Sequence, residues 1–207
     1  MKTFAAIAFT PAVRALQQAH GSRAAYAGIP DELPFGGGLG TEESAFLQAA
    51  DTAFLASVNT DGWPYVQHRG GPPGFLRVLA PDRIAFADYR GNRQYVSVGN
   101  ANGDRRVAMI VMDYAHRRRL KLFGRLRFEA IEGADPTLLA AVTQADYRAR
   151  IERIATLEVE AFDWNCPQHI RPRFSTEETV AVVRPLQERI AQLEQEIATL
   201  RGQQTSP

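Results

Sequence analysis

Between residues 53 and 128 the apolar positions fall in short runs broken by Gly, Pro, Asn and Asp, the punctuation of strands and tight turns. AFLASV (53–58) passes through the turn Asn59, Thr60, Asp61 and Gly62 into WPYVQHR (63–69), which predicts a hairpin. FLRVL (75–79) leads through Ala80, Pro81 and Asp82 to RIAFAD (83–88). RRVAMIVMD (105–113) is an uninterrupted apolar run and reads as a strand covered on both faces. RLKLFGRLRF (119–128) alternates, with Leu120, Leu122, Leu126 and Phe128 on one face and Arg119, Lys121, Arg125 and Arg127 on the other. Six short strands at this spacing predict a small antiparallel barrel, closed or nearly so.

The flanks carry a helical period instead. Residues 10–28 read as a helix with Thr10 as N-cap, Pro11 at its first position and Gly21 as its stop. A connector, LPFGGGLG, precedes a second short helix, TEESAFLQAAD, opened by Thr41 and two glutamates. The glycine run follows no strand, so it is a linker and not a dinucleotide loop. Residues 134–161 read as one or two amphipathic helices. A last helix runs from about residue 175 to 201, in which Leu186, Ile190, Leu193, Ile197 and Leu200 repeat at 4-3-4-3 spacing. That seam fits equally a face packed on its own subunit or an intersubunit coil. The implied organisation is an N-terminal helix and linker (1–40), a barrel domain (41–175), and a heptad-like helix with a tail (176–207).

Composition narrows the classes. The 207 residues carry a net charge of +1, which gives no bulk attraction to nucleic acid or to an anionic membrane. The basic run His116, Arg117, Arg118, Arg119 reads as a solvated hairpin tip. Cys166 is the single cysteine, so no internal disulfide framework exists and a reducing compartment is expected. No apolar run approaches the roughly 18–20 residues that span a bilayer. The opening MKTFAAIAFTP has a short apolar run interrupted by Pro11, a weak match to a signal peptide. A cytoplasmic protein is expected. The four histidines fall in unrelated contexts, and Cys166 with His169 forms no metal-ligand pattern, so no metal is expected.

Candidate chemistry concentrates at two strand ends. QHRGGPPGF (67–75) places Gln67, His68 and Arg69 before a Gly70–Gly71 pair whose amides are sterically approachable. Downstream, DYRGNRQ (88–94) supplies Asp88, Tyr89, Arg90, Gly91, Asn92, Arg93 and Gln94, with arginine forks and amide donors suited to a phosphate. The same residues also make ordinary solvated turns.

The blocks FLASVNTDGWPYVQHRGGPPGFLRVL, IAFADYRGNRQYVSVGN, RVAMIVMDY and RRRLKLFGRLRF, in this order, resemble the pyridoxamine 5′-phosphate oxidase superfamily of flavin-binding split barrels. Within it they are similar to flavin-nucleotide-binding proteins bearing HRGGPPGF. The resemblance implies a mainly β (α+β) fold: a six-stranded antiparallel split barrel with flanking helices and a C-terminal amphipathic helix. It also implies a homodimer that binds FMN non-covalently at the subunit interface. By the same resemblance Gln67, His68, Arg69 and Gly70 touch flavin ring and phosphate, and the segment Asp88, Tyr89, Gly91, Asn92, Arg93, Gln94 grips the phosphate. Arg118, Arg119 and Lys121 reach the flavin or substrate side, and Trp164 and Asn165 approach the partner's flavin. True pyridoxamine phosphate oxidases end in an arginine- and histidine-bearing segment where this chain has WNCPQHIRPRF and a heptad helix. The implied function is therefore an FMN-dependent oxidoreductase on another small substrate, with no catalytic residue assigned. The alternatives are a flavin-binding electron carrier or sensor served by a separate reductase, or a barrel holding haem or a deazaflavin in place of FMN.

Overall fold

The computed structural model describes residues 1–34, 37–164 and 168–204. The six expected strands form as β1 (Thr52–Val58), β2 (Pro64–Gly70), β3 (Arg77–Ala80), β4 (Arg83–Tyr89), β5 (Arg106–Asp113) and β6 (Arg118–Ala130). A seventh, β7 (Ile151–Trp164), lies where the sequence predicts helix. All seven join in one antiparallel sheet of order β2-β1-β5-β6-β7-β4-β3. The sheet is combined with helices as a split barrel requires, but it has seven strands and it does not close. The β1–β2 turn follows the asparagine logic of its sequence: Asn59 Oδ1 accepts from the amides of Asp61 (3.0 Å) and Trp63 (2.8 Å).

β7 escapes the sequence pattern because both of its faces are covered. Ala155, Leu157 and Val159 join the main core with Leu55, Phe86, Met109, Leu122 and Leu126. Ile154 points the other way, into a smaller cluster with Ala85, Ala87 and Val142. Burial of four consecutive residues, 154–157, erases the two-residue period that identifies a half-buried strand. The cover on the second face is α5 (Pro136–Val142), which Asp135 caps by accepting from the amide of Thr137 at 2.8 Å. β5 departs from expectation in the opposite sense. Val107, Met109 and Val111 are buried, whereas Ile110 between them is 36% exposed, so one apolar face of β5 is uncovered.

The β6–β7 ladder shifts register between Phe123 and Gly124, whose partners are Ala161 and Val159. Glu160 is the extra residue of a bulge, and its carbonyl instead accepts from the amide of Lys2 at 3.0 Å. A Cβ on Gly124 would stand 2.3 Å from the carbonyl oxygen of Glu158. Gly124→Ala must therefore push β6 from β7 in the middle of the sheet. We expect a loss of about 3 kcal/mol, the upper range for an overpacked site, read as a lower urea midpoint.

The helices before the sheet follow their caps. α1 (Phe4–Ala8) starts at Thr3, whose hydroxyl accepts from Ala6. Phe4 stacks on Phe123 with ring centroids 4.8 Å apart, so the apolar opening of the chain packs on the sheet. α2 (Pro11–Ala19) has Thr10 as N-cap, as expected. α3 (Thr41–Ala49) is capped one residue earlier than expected, at Gly40, whose amide donates to Glu43 Oε2 at 2.9 Å. α4 (Val96–Gly103) has no counterpart among the expected elements. Its sequence, VSVGNANG, is poor in helix formers, and buried contacts hold it, with Asn100 Nδ2 donating to Ser57 Oγ at 3.0 Å.

The chain divides into two units: Met1–Asp113 with Arg118–Gln168, and Tyr114–Arg117 with the segment from His169 onward. The second unit contains α6 (Thr176–Gln204), opened by a reciprocal cap. Ser175 Oγ accepts from the Glu178 amide at 3.0 Å, and Glu178 Oε2 accepts from the Ser175 amide at 2.7 Å. No helix among the described residues is long and apolar enough to cross a membrane.

Candidate functional site

β2 forms one edge of the sheet and β4 lies next to the other edge, yet their side chains meet. Strand alternation puts Gln67 and Arg69 on the inner face, opposite Leu55 and Ala53 of β1. The sheet curls until Arg69 Nη1 reaches Asp88 Oδ1 of β4, across the split. Arg153 of β7 donates to the other carboxylate oxygen, Asp88 Oδ2, at 3.4 Å. Asp88 is 6% exposed, so two guanidinium groups balance a buried negative charge. Arg69 Nε is also buried and has no hydrogen-bond partner among the described residues.

After Tyr89 the chain makes a loop with an uncommon backbone. Arg93 and Tyr95 both sit in the left-handed region, with φ of 60° and 54°, at a cost of roughly 1–2 kcal/mol per residue that carries a Cβ. Asn92 Oδ1 accepts from the Gln94 amide at 3.2 Å and tightens the turn between them. The loop delivers the chain to the start of α4, where the N-cap residue Tyr95 makes no side-chain cap bond and no other side chain among the described residues supplies one. Its leading N–H groups are thus open to an acceptor. Ser97 Oγ donates to Gln67 Oε1 at 2.8 Å and ties this helix start to β2.

Together these elements enclose a cleft of about 210 Å³, lined among others by Gln67, Arg69, Asn92, Arg93 and Ser97. A larger adjoining hollow of about 550 Å³ shares Gln67, Arg69, Tyr89 and Gly91 and adds Gly70, Phe75 and Tyr147. A side chain at Gly70 would stand 2.9 Å from the carbonyl of Asp51, so this strand end needs glycine for close backbone approach. Tyr89 meets Tyr147 edge-on at 5.0 Å. Burial, and then the neighbouring Tyr147, raise the Tyr89 hydroxyl above its ordinary range, so it stays protonated at neutral pH.

Of the residues that the sequence singles out, the structure thus brings together Gln67, Arg69, Gly70, Asp88, Tyr89, Gly91, Asn92 and Arg93. His68 is exposed and turns to the opposite strand face, packing edge-on to Phe54 at 5.8 Å, although it borders the hollow at the sheet edge. Gln94 enters only through its amide bond to Asn92. Arg118, Lys121 and Trp164 line neither cavity of their own chain. Arg119 lies on the outer face of β6 opposite Met112 of β5, and Asn165 and Cys166 lie outside the described residues. Pattern reading misses Tyr95, Ser97, Val98 and Glu152, which also line the cleft. Ser97 and Val98 belong to the helix that propensity hides, and Glu152 to the strand that double burial hides.

Arg118 and Trp164 build a separate corner. The Arg118 guanidinium lies over the Trp164 ring at 4.4 Å and pairs with Glu42 at 2.5 Å, while Lys121 pairs with Asp163 at 2.7 Å. The Trp164 indole N–H donates to Glu43 Oε1 at 2.8 Å. Burial alone would raise the Glu43 pKa, but the bonds from Trp164 and Gly40 and the charge of Arg118 outweigh it and hold the carboxyl below its ordinary value. A depressed carboxyl stabilises the fold above the unfolded-state pKa of about 4.3 and loses that contribution as pH falls through its own lower value. Glu43→Gln is therefore expected to cost about 1 kcal/mol at neutral pH, and the gap to the parent should close in acid. Denaturation followed by tryptophan fluorescence at pH 7 and below pH 4 checks this; a gap that is constant with pH refutes the linkage.

Chemically, the small cleft is lined by Arg69 and Arg93 and by the carboxylates Asp88 and Glu152. Asp88 is engaged by Arg69, so Arg93 is the group that the cleft offers an anion, and the hollow beside Phe75, Tyr89 and Tyr147 suits a flat aromatic group. No metal-binding cluster of His, Cys, Asp and Glu occurs among the described residues. Among curated proteins none matches the chain. Solved structures resemble it at low identity. HupZ of Group A Streptococcus is 14% identical over 65% of this chain and 98% of that one, with a TM-score of 0.49. General Stress Protein 26 of Bacillus anthracis str. Sterne is 12% identical over 63% and 92%, with a TM-score of 0.39. An FMN-binding protein of Syntrophomonas wolfei subsp. wolfei is 9% identical over 60% and 85%, with a TM-score of 0.44. Likeness at this level says nothing of chemistry. The family model described as pyridoxamine 5′-phosphate oxidase matches residues 39–169. That span is more than half of the chain and takes in all seven strands, the Arg69–Asp88 bridge and the loop of Arg93, so the chain belongs to the pyridoxamine 5′-phosphate oxidase family.

Proposed function

We propose that the protein binds FMN non-covalently and acts, as a homodimer, as an oxidoreductase on a small organic substrate. The observation that carries this reading is Arg93. It is held in a left-handed backbone conformation at the rim of the cleft and makes no ion pair among the described residues. Around it, Arg69, Arg90 and Arg153 outnumber the carboxylates Asp88 and Glu152 with which they pair. A phosphate monoester bears about −1.5 to −2 charges at neutral pH, which this surplus, the open start of α4 and the buried Arg69 Nε all favour. When bound, FMN supplies hydride or electron transfer. The chain's own part is to hold the phosphate end at Arg93, Asn92 and Ser97, to seat a ring beside Tyr89 and Phe75, and to keep the Tyr89 hydroxyl protonated.

The uncovered sheet face supports the dimer. On β2, β1 and β5, Val66, Ala56 and Ala108 form one cross-strand row and His68, Phe54 and Ile110 the next. Val66 is 61% exposed, and a contiguous apolar surface of this kind marks an interface. In such a dimer, Trp164 is a residue that the family resemblance assigns to the partner's flavin. The C-terminal segment differs from that of true pyridoxamine phosphate oxidases, so another substrate than a vitamin B6 phosphate is expected.

The test is the absorption spectrum of the purified protein together with a fluorescence titration with FMN. Visible flavin bands, or quenching that saturates at one FMN per chain, support the reading. A colourless protein that leaves FMN fluorescence unchanged refutes it, and a haem spectrum reassigns the cofactor. Saturable turnover of an organic donor or acceptor separates an enzyme from an electron carrier.

A further inference from the structure

We infer that α6 pairs with α6 of a second copy of this chain as a parallel, in-register two-stranded coiled coil; the inference rests on the dimer reading above. Val183, Leu186, Ile190, Leu193, Ile197 and Leu200 alternate at spacings of three and four along the 29-residue helix, which makes one continuous stripe. Every one of the six is more than a third exposed, with Leu186 and Leu200 at 60% and Ile190 at 55%. The residue types within the stripe are sorted. Val183, Ile190 and Ile197 occupy the a positions and Leu186, Leu193 and Leu200 the d positions, the β-branched-a, leucine-d arrangement that favours two parallel strands. Pro185 falls at an outer c position, away from the stripe.

The flanking charges match the same pairing. In a parallel coil each g residue faces the e residue five places on in the other helix. Arg189 and Glu196 are the charged g residues, and Glu194 and Arg201 stand five places beyond them at e. Arg189 then faces Glu194 of the other copy and Glu196 faces its Arg201, so every such contact joins opposite charges and twofold symmetry repeats each one. Within one chain Arg189 reaches along its own helix to Glu196 at 3.8 Å, a contact the coil exchanges for intersubunit ones. Six layers are few for a free-standing coil. Helices already held together by a dimeric barrel meet at an effective concentration of order millimolar, and the coil then acts as a clasp on the dimer.

The test uses the full chain with Cys166→Ser, which removes the only native thiol, and one added cysteine. With helix axes about 8–10 Å apart and Cα atoms about 2.3 Å from each axis, facing a positions stand at least roughly 3.4–5.4 Å apart, a range that overlaps disulfide reach. Outward f positions stand well beyond it. Mild oxidation should convert Ile190→Cys to a covalent dimer and leave Gln195→Cys monomeric on a denaturing gel. Linking of Ile190→Cys that is absent, or no faster than that of Gln195→Cys, overturns the coil; so does an antiparallel pairing, which sets Ile190 against Leu193 instead of itself. Sedimentation of the same proteins before oxidation separates the two readings. A dimer that does not link refutes the coil and leaves the barrel dimer standing, whereas a monomer that does not link refutes both.

Discussion

Asp88→Ala is expected to destabilise the fold by about 3–5 kcal/mol, the range for removing one partner of a buried ion pair. Asp88 is 6% exposed and holds Arg69 on one oxygen and Arg153 on the other. Alanine strands the Arg69 guanidinium, which already carries a buried Nε without a partner among the described residues, and leaves Arg153 with Glu152 alone, at 3.3 Å. The bond also has a structural consequence beyond its own energy. It is the contact that draws β2, at one end of the strand order, to β4 near the other. Asp88→Asn keeps an acceptor oxygen and should lose less than Asp88→Ala. Urea unfolding measures both; with slopes of about 1–3 kcal/mol per molar, Asp88→Ala should lower the midpoint by more than about 1 M. A shift under about 0.5 kcal/mol, typical of a surface substitution, would refute the bridging role. The double variant Arg69→Met with Asp88→Leu should recover part of the loss, since apolar side chains can replace a buried pair.

Most elements that the sequence displays have one wet face, whereas β4, buried on both faces from Ile84 to Asp88, is marked by the Ala80–Asp82 turn before it. β6 is the clearest: Leu120, Leu122 and Leu126 are buried while Arg125 and Arg127 are exposed, as the alternation requires. α2 is equally plain because its cap lies in the sequence as Thr10 with Pro11, and α6 because Leu186, Ile190, Leu193, Ile197 and Leu200 repeat at 4-3-4-3 spacing. β7 is hidden because two layers cover it, and IERIATLEVEAFDW then carries apolar residues at helix-like spacings. α4 is hidden for the converse reason, since tertiary contacts through Ser97, Asn100 and Ala101 impose a helix that propensity disfavours.

For the site, the arginines and glycines of β2 and of the loop after β4 are visible as residue types. Their mutual placement is not visible, because it depends on the curl of a sheet in which β2 and β4 are five places apart. Arg69 shows the difference. Its type suits a phosphate, yet its first partner is a carboxylate of the same chain. The charge left over for a ligand is then Arg93, which no carboxylate holds among the described residues.

Arg93→Ala is expected to weaken FMN binding tenfold to hundredfold, the loss of a charge-assisted contact of about 1.5–3 kcal/mol. Alanine keeps the left-handed strain at φ 60°, so thermal stability should stay near that of the parent. Arg93→Gly removes the same charge and also the Cβ, which relieves roughly 1 kcal/mol of strain, partly offset by the greater freedom of glycine in the unfolded chain. It should bind FMN as poorly as Arg93→Ala yet melt no lower than it. Riboflavin, which has the flavin ring and no phosphate, isolates the contact. If Arg93 meets the phosphate, both variants should bind riboflavin as the parent does. Fluorescence titration with each ligand decides the matter. FMN affinity unchanged in a folded Arg93→Ala protein removes Arg93 from the site, and an equal loss for riboflavin and FMN moves it from the phosphate to the ring. A loss confined to FMN places the negative end of the cofactor at the strained turn, with the open start of α4 beside it.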